Sequence, residues 1–193
     1  MKRSEIIVTR RALRLPGYCT LTDVDMDGDY VSPLQIQSNS ESAPVLLAYN
    51  WLDAESVRLN HAVLRVHGYL PGIPFNNVVT MALGFCGITR SDIYMTQVFH
   101  LLPAAGRSSS IPANDLDYSF DAVTRHELVE RKVIALGTSA AATCKRFGVT
   151  PEQVVDHPSA RGLGRTVRAK AEHLANAIRA THPALQISRR NSL

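Results

Sequence analysis

Val45-Leu46-Leu47-Ala48-Tyr49-Asn50-Trp51-Leu52-Asp53 opens the strand-and-helix pattern of the chain. Its first five residues form a continuous apolar run behind Pro44, without polar alternation. Such a run suits a strand buried on both faces, and strands of that kind belong to parallel sheets covered by helices. The run ends at Asn50 and Asp53. In open parallel sheets ligands gather beyond the carboxyl ends of the strands. Those two polar residues therefore fall where chemistry is expected.

Downstream, the pattern alternates. Residues 54–70 read as helical, stopped by Gly68 and Pro71-Gly72. Residues 78–85 read as a helix stopped by Gly87, and residues 92–99, with Ile93, Met95 and Val98 apolar, as a second strand. A loop rich in Ser, Pro and Ala runs from Pro103 to about Asp117, and residues 120–131 follow as a helix. Residues 132–137, Lys-Val-Ile-Ala-Leu-Gly, give the clearest strand, with a helix at 139–147 behind it. Val154-Val155-Asp156 is a short fourth strand that leads into His157-Pro158-Ser159-Ala160-Arg161. The last helix carries Val167, Ala171, Leu174 and Ile178 on one apolar stripe. Strands alternating with helices predict an α/β fold: a three-layer α/β/α sandwich around a mostly parallel sheet of about four strands.

Upstream of Val45 the signals are weaker. Residues 1–16 predict a short helix or an arm. Asp23, Asp25, Asp27 and Asp29 alternate around Gly28 like the opening of a calcium loop. The twelfth position holds Leu34 where a bidentate glutamate is needed, so an acidic turn between short extended pieces is expected instead. Residues 35–44 read as an exposed connection. A chain of 193 residues suits one domain, here a core over 45–181 with 1–44 as an N-terminal extension.

The formal charge is +4. Beyond position 160, Arg161, Arg165, Arg168, Lys170, Arg179, Arg189 and Arg190 face a single acid, Glu172. That region fits a polyanionic partner, or else a solvated helix face. Cys19, Cys86 and Cys144 form no CxxC pair, so neither zinc nor an iron–sulfur cluster is signalled, and reduced cytoplasmic thiols are expected. No apolar run approaches the roughly 20 residues of a membrane span. The N-terminus lacks the apolar core of a signal peptide.

An ordered set of motifs spans about Val45 to Ala180. A strand and its polar loop are followed by Gly72-Ile73-Pro74-Phe75, then by Gly87-Ile88-Thr89-Arg90-Ser91-Asp92-Ile93-Tyr94. Val133-Ile134-Ala135-Leu136-Gly137 with Ser139-Ala140-Ala141 comes next, and His157-Pro158-Ser159-Ala160-Arg161 last. In that order the chain resembles the uracil-DNA glycosylase superfamily. The resemblance implies a monofunctional DNA glycosylase that flips a base out of the stack, cleaves its N-glycosidic bond and leaves an abasic site. It implies DNA as partner, a monomer, and neither cofactor nor metal. Phe75 would stack on the base, and Tyr49 and Trp51 would belong to its wall. Gln97 stands where the family reads the pyrimidine edge with an asparagine. Asn50 matches the catalytic-loop asparagine of some branches, with Asp53 a nearby general base or charge stabiliser. His157 would donate to the base oxygen that gathers charge. Ser159, Arg161 and Arg165 would hold DNA, with Arg161 inserted into the gap left by the base.

Each position also has an ordinary alternative: a core aromatic for Phe75, a strand-end polar group for Gln97, a strand-end cap for Asn50 and a helix N-cap for Asp53. The chain departs from the family in the first loop, where Ala48, Trp51 and Leu52 replace a glycine and a Pro-Gly. The rebuilt wall, with Gln for Asn, points to a pyrimidine with a bulky 5-substituent of the phage type, and so to defence against phage DNA. A DNA-binding module that has lost catalysis is the alternative. A nucleotide-binding domain is disfavoured, because neither Gly-x-Gly-x-x-Gly nor a phosphate loop occurs.

Overall fold

A computed structural model describes residues 1–104, 111–162 and 166–185. In chain order the strands are β1 (Tyr18–Cys19), β2 (Val45–Asn50), β3 (Tyr94–Phe99), β4 (Leu102–Pro103), β5 (Val133–Leu136) and β6 (Gln153–Val155). Four of them form one parallel sheet in the order β3-β2-β5-β6. The apolar run that opens at Val45 lies inside it, and Val45, Leu46 and Leu47 are fully buried. Successive side chains of a strand point to opposite faces. Leu46, Met95 and Ile134 therefore meet one helical layer, and Leu47, Val98 and Ala135 the other.

Helices cover both faces. On one side lie α4 (Pro74–Cys86) and α8 (Val167–Thr181), which bring Val79, Leu83, Leu174 and Ile178 to the sheet. On the other lie α1 (Arg3–Ala12), α5 (Ala113–Ser119), a π-helical turn (Phe120–Thr124) and α7 (Thr138–Arg146). The expected three-layer α/β/α arrangement with four parallel strands is the one observed. Among the described residues no helix is long and apolar enough to cross a membrane.

Several local expectations change. The helix expected over 54–70 is two, α2 (Ala54–Leu59) and α3 (His61–His67), broken at Asn60. Gly68 ends α3 at φ +73°, and a Cβ there would lie 2.0 Å from the Pro33 carbonyl oxygen. The helix expected from Val78 begins at Pro74, whose fixed φ and missing N–H suit a first helical position. Helical structure expected from Phe120 begins at Ala113 and passes through the π turn to α6 (Arg125–Glu127). A two-residue antiparallel pairing of β1 with β4 has no counterpart in the sequence reading.

Residues 35–44 are not an exposed connection. Gln35 and Ser38 are buried, and Asn39 bridges to Tyr94. Gln35 Nε2 donates to Glu127 Oε1 at 2.8 Å, and Tyr94 and Thr96 hydroxyls donate to the same carboxyl at 2.6 Å each. The buried Glu127 needs these donors, and they fix the segment. Burial pushes the Glu127 carboxyl up, against the pull of those hydrogen bonds. The acidic turn has a comparable tie. Asp27 receives Arg10 at 2.6 Å and Arg11 at 2.9 Å, so its carboxylate serves as counterion to α1. Ile6, Ile7 and Leu13 pack into the same cluster as Val45 and Val98, so residues 1–44 share the core.

Candidate active site

Asn50 is the last residue of β2 and stands opposite Phe99 of β3. The strand presents it at the carboxyl edge of the sheet. Its Nδ2 is buried and has no hydrogen-bond partner among the described residues. A buried amide without a partner costs about 1–3 kcal/mol, and such groups are rare unless a ligand or water completes them. Trp51 is anchored beside it, with Nε1 donating to Gly68 O at 2.9 Å.

His157 follows β6 and reaches the same edge. Gly137 makes room for it: φ is +106°, and an added Cβ would sit 3.0 Å from the His157 Cβ. The Ser159 N–H donates to His157 Nδ1 at 3.2 Å. With Nδ1 an acceptor, the proton of the neutral ring lies on Nε2. Burial, and then the charge of Lys170, hold the imidazole below the usual histidine value. The ring is therefore a neutral donor at neutral pH. Phe75, in the first turn of α4, lies 5.5 Å from it between centroids, at 52°.

These groups enclose a cavity of about 140 Å³, lined in part by Ala48, Asn50, Trp51, Phe75, His157 and Ser159. A cavity of about 150 Å³ holds a benzene ring, so this one has the volume for a single six-membered ring. Leu34 of the N-terminal segment also lines it. One wall is stiffened from behind. Arg90 stacks 3.6 Å over the Tyr69 ring and donates to Asn76 Oδ1 at 3.0 Å, while Asn76 Nδ2 donates to Leu70 O at 2.9 Å.

Two further spaces adjoin it. One, of about 300 Å³, lies on the other side of Asn50 and His157 and is lined by Tyr49, Gly137, Thr138 and Ser139. The other is a cleft of about 580 Å³ that shares Tyr69 and Asn76 with the ring-sized cavity and extends to Asn77 and Thr80. Among the described residues no three His, Cys, Asp or Glu side chains group as metal ligands.

Asn50, Trp51, Phe75, His157 and Ser159 are thus brought together. Tyr49 belongs to the second space, its hydroxyl 3.5 Å from Ile111 O. Asp53 caps α2, the ordinary role weighed for it: its carboxylate accepts from Ser56 N and Ser56 Oγ at 2.8 Å each. Gln97 stands apart from these groups. It is 1% exposed, lies beside Ala48 in register, and its Oε1 accepts from Ser32 Oγ at 2.7 Å. The amide is turned to a neighbour behind the wall and does not line the cavity. Arg161 is exposed on the loop after His157, and Arg165 lies outside the described residues.

The basic C-terminal region is not a uniform stripe. Arg168 pairs with Glu172 at 2.9 Å, Arg179 donates to Phe85 O, and Lys170 is buried. Sequence reasoning missed Lys170 as a site residue. The signal was present, since it falls on the apolar stripe of the last helix, three residues after Val167 and four before Leu174. It also missed Asn76 and Arg90, whose partnership joins two segments 14 residues apart. Compared with known proteins, the chain matches no family model and no curated sequence.

Proposed function

We propose that this protein is a monofunctional DNA glycosylase acting on a flipped pyrimidine. The observation that carries the reading is a ring-sized cavity lined by both Asn50, whose buried Nδ2 has no hydrogen-bond partner among the described residues, and His157, whose Nδ1 accepts from the Ser159 N–H. The resemblance to the uracil-DNA glycosylase superfamily supports the same reading.

In this reaction the flipped base enters beside Phe75, where stacking on an aromatic face contributes on the order of 1–3 kcal/mol. The bond between the sugar C1′ and the base nitrogen breaks, and its electron pair leaves with the base. Negative charge gathers on a base oxygen. His157, neutral and with its proton on Nε2, donates to that oxygen without surrendering a charge of its own. Water, oriented by the Asn50 side-chain oxygen as acceptor, adds to C1′, and the proton it loses passes through solvent to the departing base anion, which leaves as the neutral base. The products are an abasic site and the free base, and no cofactor enters. Ser159 and Arg161, beside the cavity on the same loop, hold the backbone at the gap.

The base we favour carries a bulky 5-substituent. A cleft of about 580 Å³ that shares Tyr69 and Asn76 with the ring-sized cavity supports this choice of base. Removal of such bases from phage DNA would make the protein a defence enzyme, while removal of plain uracil would make it a repair enzyme. Oligonucleotides carrying uracil, 5-hydroxymethyluracil, 5-hydroxymethylcytosine or its glucosylated form discriminate these readings. Alkali-labile breaks at a substituted pyrimidine are expected. Efficient uracil removal with substituted bases untouched would refute the choice of base. Tight DNA binding with no breaks on any of them would favour a module that has lost catalysis.

A further inference from the structure

Lys170 is a cation in an unfavourable place. It lies in the first turn of α8, where the helix dipole repels positive charge. It is also buried, with 8% exposure. A position like this calls for specific partners. Its Nζ donates to Pro158 O at 2.6 Å and to Ala160 O at 3.0 Å. Both acceptors belong to the loop that carries His157.

The geometry of one peptide links the lysine to the histidine. The Pro158–Ser159 bond is trans, as are the others described. In a planar trans peptide the C=O and N–H point in opposite directions. Fixing the Pro158 oxygen on Lys170 aims the Ser159 N–H the other way, and that N–H is the donor to His157 Nδ1. The Ala160 N–H, donating to His157 O at 2.7 Å, closes the turn.

We propose that Lys170 is a positioning residue: through the Pro158–Ser159 peptide it holds His157 in the tautomer whose proton sits on Nε2, facing the ring-sized cavity. The kinetic consequence rests on the glycosylase reading, while the tautomer does not. Other titratable groups near the ring are few. Tyr49 faces it from β2 across the second space, and Asp156 precedes it in the chain. Among the described residues the charge of Lys170 also disfavours protonation of the imidazole.

The test uses the full chain and two variants, Lys170→Met, which keeps the apolar stem, and Lys170→Arg, which keeps a donor. Nitrogen-15 NMR of the imidazole, recorded without DNA, reports the tautomer. The wild type is expected to show a protonated Nε2 and an unprotonated Nδ1. Lys170→Met is expected to mix the tautomers and raise the titration midpoint of His157 toward the ordinary histidine value. Single-turnover base release should fall about 100-fold, the scale of a small misplacement of a catalytic group. DNA affinity should fall much less than the rate, and Lys170→Arg should recover part of the rate. A wild type with its proton on Nδ1 would overturn the proposal without any variant. So would a folded Lys170→Met with an unaltered nitrogen spectrum, or a loss of DNA affinity equal to the loss of rate. A wild type that releases no base would overturn the glycosylase reading, and the spectra would still decide the role of Lys170.

Discussion

Two polar residues at the end of β2 divide the work at the residue scale. Among the described residues Asn50 keeps a buried amide nitrogen unpartnered at the cavity, while Asp53 spends both carboxylate oxygens on Ser56. The two roles predict different responses. Asp53→Asn preserves a good N-cap and should leave both stability and turnover near the wild type. Asp53→Ala should cost about 1 kcal/mol of stability, read by chemical denaturation. A loss of turnover on the order of 100-fold or more in Asp53→Asn, with the fold intact, would restore it as a general base. Asn50 and His157 were legible in the sequence because they lie at the ends of apolar strands, and Phe75 because Gly-x-Pro-Phe opens a helix. Gln97 was not. Its side chain is committed to Ser32, 65 positions away, and no local pattern announces that bond.

The elements that carry the site are held by a few close approaches. Gly137 ends β5 at φ +106° directly against His157. Gly137→Ala meets both an unfavourable backbone and a Cβ–Cβ contact. It should destabilise the fold by about 1–3 kcal/mol, measured as a shift of the denaturation midpoint. It should also displace His157, so base release should fall further than stability alone explains. The continuous apolar runs at 45–49 and 133–136 made β2 and β5 plain, since such strands need little more than burial. The buried role of residues 35–44 was hidden because its polar residues suggest water. They are satisfied inside by Glu127, Tyr94 and the β3 edge, and those partnerships form only once the chain has folded.

For the whole molecule, the parallel sheet places two loops at one edge while residues 1–44 close the fold from the other layer and supply Leu34 to the cavity. The core also holds a titrating group. His100 is fully buried, its Nε2 3.8 Å from Glu127, and burial lowers its pKa to about 3. Below the ordinary histidine value the unfolded chain takes up a proton that the folded chain refuses. Stability therefore falls as pH falls through that window. From pH 7 to pH 5 this should cost about 2 kcal/mol, and a folded His100→Leu should lose that part of the decline. Glu127 acts in the opposite sense, since its raised pKa makes the folded form lose stability as pH rises above the ordinary carboxyl value. Denaturation curves at several pH values check both signs. On the glycosylase reading, Asn50 and His157 act on the bond to a base held in the ring-sized cavity. Single-turnover base release from DNA bearing a 5-substituted pyrimidine, compared across wild type, Asn50→Ala and His157→Ala at saturating protein, tests it most directly. Release by the wild type, with a loss on the order of 100-fold or more in each variant and DNA binding retained, is the predicted result. Equal release by all three proteins would contradict it.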